Sequence, residues 1–197
     1  MHYLFSFIAI SFFEFIPNFL ALLGISGAVY VNKILKQKLP FTVLVTILGA
    51  TLSTGTIVLL ENTKLTFTTL PPTSQSNFLG YLTFTGVFVI ASLFMFWFFS
   101  RPVNNPKSDI AIGIILALLL SLYEFVSAVQ MGDLAVASIG RMISHTLAFV
   151  IAFPLTLVIL RKAVKATDLH KVALLTLYAA AIMTLLITLI DYTPFLK

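Results

Sequence analysis

The sequence contains no cysteine. Disulfides, thiolate metal sites and thiol nucleophiles are excluded. Charge is nearly as scarce. Only 10% of the 197 residues are Asp, Glu, Lys or Arg, against about 25% in soluble domains. So few charges cannot cover the surface of a water-soluble domain of this size. The first ten residues, MHYLFSFIAI, lack the basic segment and small-residue cleavage site of a signal peptide and read as the start of a retained helix. Recognisable catalytic arrangements are missing too. There is no Ser–His–Asp set, no Gly-x-Gly-Asp aspartate pair and no lipid-phosphate motif, so an enzyme is not expected.

What fills the chain instead is apolar: 59% of residues are hydrophobic. A helix crosses roughly 30 Å of hydrocarbon with about 20 such residues. Six stretches qualify, at about 3–31, 40–60, 78–100, 110–131, 135–160 and 172–191. The expectation is an all-α, polytopic membrane helix bundle forming a single domain over residues 1–197, with the lipid bilayer as its first partner. Small residues four apart, Gly24 and Ala28, Gly49 and Ser53, Gly113 and Ala117, predict close helix approaches inside that bundle.

The connections sort by charge. Loop 31–40 holds Lys33, Lys36 and Lys38, loop 101–109 holds Arg101 and Lys107, and loop 161–171 holds Arg161, Lys162, Lys165 and Lys171. These alternate loops share one side, and the positive-inside bias puts that side in the cytoplasm. A cell-membrane protein with both termini outside follows. The same distribution accounts for the formal net charge of +5, so no nucleic-acid partner is needed.

Four ionisable residues interrupt the spans: Glu14, Glu124, Arg141 and His145. Counted at 1.5 Å per residue, all four fall in one slab between the outer face and the midplane. A charge at the bilayer centre costs about 2.5–3.5 kcal/mol on insertion scales, so such groups face the bundle interior and pair. The simplest pairing joins Arg141 to Glu124, leaving Glu14 nearer His145. A carboxyl and an imidazole so placed can exchange protons near neutral pH. The competing reading is a static ion pair that locks helix register. Glu14, Glu124 and His145 could also supply three metal ligands, but neither a metal nor another cofactor is expected. A lone intramembrane histidine cannot ligate haem from both faces. Pro17 and Pro154 remove backbone donors inside their helices and mark candidate hinges.

Glu14 and Glu124 stand in similar wrappers, SFFEFI and SLYEFV. If the halves are related, each has three spans, and an odd number inverts the second copy. A 3+3 inverted repeat would then make the two glutamates symmetry mates.

The stretch FIPNFLALLGISGAVYVNKILKQKLPF from residue 16 resembles the first two helices of the J-type membrane subunit of proton-pumping NADH–quinone oxidoreductase. FTGVFVIASLFMFWFF (84–99) is similar to that subunit's third helix, and SIGRMISHTLAFVIAF (138–153) to its last. The similarity covers about half of the chain. Phe84 stands where the family has Tyr, Val150 where it has an acidic residue, and a sixth helix is added. The resemblance implies a bulged, mobile segment at Gly86. It also implies a non-catalytic subunit beside a quinone-driven proton route, with other membrane subunits as partners. The reading from the residues alone is a small transporter or proton-conducting permease.

Overall fold

The computed structural model describes residues 2–62, 78–101, 105–130 and 139–191. Six helices account for nearly all of them: α1 His2–Lys33, α2 Leu39–Asn62, α3 Phe78–Ser100, α4 Pro106–Gln130, α5 Ile139–Ala163 and α6 Leu169–Asp191. Among the described residues there is no strand. Each helix contains a segment of 21 to 27 residues long and apolar enough to cross a membrane. The chain is a multi-pass membrane protein. Its apolar exterior agrees: Ile90, Leu118, Leu122, Leu59 and Leu189 are all at least half exposed, which only lipid makes favourable.

Consecutive helices pack as antiparallel neighbours, except α3 and α4, and α1 is the hub. It packs against α2, α3 and α6, and touches α5. The α4 helix packs chiefly against α5. The interior is a layer of Leu22, Ile25 and Val29 from α1, Met95, Phe96 and Phe99 from α3, Leu157 and Leu160 from α5, and Ala179 and Ala180 from α6.

Two backbone approaches fix the crossings. A Cβ added to Gly24 would lie 2.8 Å from the Cα of Gly49, so α1 and α2 meet backbone to backbone. A Cβ on Gly113 would lie 2.7 Å from the Cα of Pro154. Gly24, Gly49 and Gly113 all belong to the predicted small-residue pairs, and their companions Ala28, Ser53 and Ala117 are buried as well. With no hydrophobic force between helices in lipid, such close contact is what holds them. Pro17 and Pro154 both lie inside unbroken helices. Pro154 seats against Gly113, while Gly86 lies within α3 with open space where a side chain would be.

Two helix ends depart from expectation. Hydropathy starts α4 at about residue 110 and stops α5 at about 160. The helices run from Pro106 and to Ala163. Arg161, expected in a basic loop, is a buried helical residue at 7% exposure. A hydropathy window ends a span at the first charge, whereas backbone hydrogen bonding carries the helix past it. Here a carboxylate waits to receive that charge.

Candidate functional site

Among the described residues the α4–α5 hairpin carries two acid–base pairs, one at each end. Near the end away from the basic loops, Glu124 Oε2 lies 3.3 Å from His145 Nδ1. Their side chains are 32% and 23% exposed, so the pair is neither sealed in the core nor fully open. Glu124 belongs to α4 and His145 to α5, and the pair spans the seam between adjacent membrane helices. The hydroxyls of Ser121 and Tyr123, on the turn before Glu124, are shielded and without a hydrogen-bond partner among the described residues. On the other side of His145 an aromatic column begins. Its ring lies 6.1 Å from that of Phe149, which stacks on Phe153 at 5.3 Å. The pair thus has an aromatic column beside it along α5 toward Pro154.

The expected partner of Glu124 was Arg141. The geometry brings His145 to it. Arg141 and His145 are one turn apart on one face of α5, and the register set where Gly113 meets Pro154 puts the histidine within reach. The side chain of Arg141 lies outside the described residues. Glu14 does not join this pair as a third ligand: among the described residues no three of His, Cys, Asp and Glu gather closely enough to hold a metal ion. Glu14 is half-buried on α1, one turn before Asn18, whose amide nitrogen donates to Thr184 Oγ1 of α6 at 3.0 Å. Glu124 and His145 thus meet at the α4/α5 seam, and Asn18, one turn from Glu14, bonds across the α1/α6 seam.

The second ion pair was not foreseen. At the basic end of the same hairpin Arg161 clasps Asp109, with Nη2 2.7 Å and Nε 3.1 Å from Oδ1. Nε also reaches Oδ2 at 3.3 Å. Both side chains are more than 90% buried. The guanidinium lies over the rings of Phe99 and Phe98, at 4.4 and 4.8 Å from their centroids. Such faces attract a cation and shield it at once. Lys33, the last residue of α1, donates to the Phe99 carbonyl at 3.0 Å and ties α1 to the end of α3. Nearby, Arg101 stacks 3.5 Å over Trp97, an aromatic at the level where interfacial tryptophans collect. One signal for the buried pair was present in the sequence. Asp109 and Arg161 are an acid and a base at matching ends of consecutive spans.

Comparison with known proteins places the chain beside none of them: no protein-family model, curated protein or solved structure matches it. The functional reading rests on the residues themselves.

Proposed function

We propose that this protein is a small membrane permease that conducts protons, or a solute coupled to them, through groups centred on Glu124 and His145. The observation that carries the reading is their 3.3 Å contact across two adjacent membrane helices in a partly exposed setting. A carboxylate and an imidazole at that separation can hand a proton to one another. Partial exposure lets one end of the exchange meet water. Asp109 and Arg161, by contrast, are closed off on both partners. Arg141, one turn before His145 in the sequence, is assigned as counter-charge or anion contact, and Glu14 as a further titrating group. The basic loops Lys33–Lys38, 101–107 and 161–171 set the cytoplasmic side by the positive-inside bias, with the termini outside.

The test is reconstitution of the purified chain in liposomes loaded with a pH-sensitive dye. An imposed pH gradient should dissipate faster than in empty liposomes. Glu124→Gln and His145→Ala should each return the rate to that of empty liposomes. Absence of any flux, with the protein shown to be inserted in both orientations, would overturn the reading.

A second reading has its own support. Because α4 packs chiefly against α5, it leaves Ile115, Leu118, Leu119 and Leu122 on an open apolar face. That face, with the resemblance to the J-type subunit, suits a non-catalytic element of a larger respiratory assembly. Gentle extraction followed by mass spectrometry would then recover stoichiometric membrane partners, and the isolated chain would be inert in liposomes.

A further inference from the structure

The end of the bundle that carries the basic loops has a large excess of one charge. Its three connections hold nine Lys and Arg against two acids, Asp109 and Asp168, an excess of seven. Asp109 is sealed against Arg161. Asp168 accepts the backbone N–H of His170 at 3.1 Å, at the start of α6. The proton pair at the opposite end of the hairpin makes no use of this charge.

The α1–α2 turn is not a plain solvated loop. Ile34, Leu35, Leu39 and Phe41 are between 40% and 62% exposed, and they interleave with Lys36 and Lys38, also exposed. Four large apolar side chains so placed are unfavourable in water. At the edge of a bilayer the same pattern is stable. The apolar side chains enter the acyl boundary while the ammonium groups stay among the headgroup phosphates. Lys36 carries a further mark. Its φ is 49°, in the left-handed region that glycine or asparagine enters more cheaply. The N–H of Gln37 closes the turn on the Val31 carbonyl at 3.2 Å. A cation thus occupies the residue where an uncharged glycine would fold the turn more easily.

A second anchor stands at the end of α3. The Arg101 guanidinium lies 3.5 Å over the ring of Trp97, which is 49% exposed. Stacking uses the face of a guanidinium and leaves its edge N–H groups, which match a phosphate in a two-pronged contact. Lys33, on the last turn of α1, donates to the Phe99 carbonyl at 3.0 Å, so the α1–α2 turn and the end of α3 are neighbours. These side chains stand where membrane spans end, at the level of lipid headgroups. That position favours lipid over an acidic protein as the occupant.

We infer that this end of the bundle is a docking surface for anionic phospholipids. Lys36, Lys38 and Arg101 meet headgroup phosphates, and the apolar residues of the turn seat it at the acyl boundary. The inference does not rest on the permease reading, because the surface shares no side chain with Glu124 and His145.

Trp97 is the single tryptophan of the chain and lies in the surface itself, so its fluorescence reads the lipid beside it. The full-length protein is reconstituted in phosphatidylcholine containing brominated phosphatidylglycerol or, at the same fraction, brominated phosphatidylcholine, whose bromines quench tryptophan. The anionic lipid should show a relative affinity about fivefold higher, the effect of one basic residue near a charged surface. Added salt should reduce that preference, and Arg101→Gln should bring the ratio close to one. Native mass spectrometry of protein extracted from the same bilayers counts retained phosphatidylglycerol. Lys36→Gly combined with Lys38→Gln should lower that count, and Lys36→Gly relieves the left-handed backbone, which guards against a variant that fails to fold. Inorganic phosphate at equal ionic strength should leave Trp97 emission unchanged. A response to it as large as that to phosphatidylglycerol would overturn the inference in favour of a site for free phosphate. Equal quenching by the two lipids in the wild type would overturn it, as would a preference retained when Lys36, Lys38 and Arg101 are all replaced. Capture of an acidic protein without any lipid preference would give the surface to that partner instead. Glu124→Gln should lose proton flux and keep the lipid preference, so the failure of either reading is visible separately from the other.

Discussion

The two ion pairs of the α4–α5 hairpin make opposite use of the same chemistry. Asp109 and Arg161 are sealed, joined by three short contacts and roofed by two phenylalanine rings. Glu124 and His145 share one longer contact and are a quarter to a third exposed. A guanidinium does not give up its proton in a protein. Such a pair can lock a hairpin but cannot move a proton. An imidazole at the opposite end can change charge within the physiological range. The sealed pair behaves as an anchor and the open pair as a candidate working part. They stand about 22 Å apart along the hairpin at 1.5 Å per residue.

Substitutions can break that contrast or sharpen it. The largest effect is expected from Asp109→Ala, which leaves Arg161 buried and uncompensated and should cost about 3–5 kcal/mol. Unfolding in detergent by denaturant would measure it. Replacing both partners at once, Asp109→Leu with Arg161→Met, should recover most of that loss, because an apolar pair of similar volume needs no desolvation. If the double variant is no better than the single, the pair is doing more than neutralising itself.

Gly113→Ala is expected next, at about 1–3 kcal/mol, since its new methyl group meets the backbone of Pro154 and forces the hairpin apart. The same substitution should lower proton flux if the Gly113–Pro154 crossing sets the register that brings Glu124 to His145. Parallel stability and flux assays on this one variant test the link.

Glu124→Gln should change stability by less than about 1 kcal/mol, because a partly exposed pair gains little from its charge. Its effect should fall on transport instead. A large stability loss with unchanged flux would reverse the assignment of anchor and working part. The smallest effect is expected at Thr85→Val, away from both pairs. It removes the 3.2 Å hydrogen bond to Thr54 between α3 and α2. Interhelical bonds of this kind contribute about 0.6 kcal/mol in membranes.

The spans were legible because a backbone in lipid must satisfy its own hydrogen bonds, and long apolar runs leave a helix as the only solution. The close approaches at Gly24, Gly49 and Gly113 were legible for a related reason: only a missing side chain lets two helix backbones touch. The contact of Glu124 with His145 was not. It depends on how far α5 slides and turns against α4. Nor did depth along the helix reveal that Asn18, one turn from Glu14, bonds to α6, because depth says nothing about rotation. Arg161 was misread for a simpler reason. Hydropathy treats each charge alone, and the burial of Arg161 makes sense only with Asp109 beside it.

Composition and hydrophobic length by themselves determined that this chain is a bundle of six membrane-spanning helices, since those properties are sums over local residues and lipid leaves the backbone no alternative. Which buried charge meets which, and whether a pair is sealed or left open, was decided only by tertiary packing. Those outcomes depend on the relative rotation and register of separate helices, and these are fixed where Gly24 meets Gly49 and Gly113 meets Pro154.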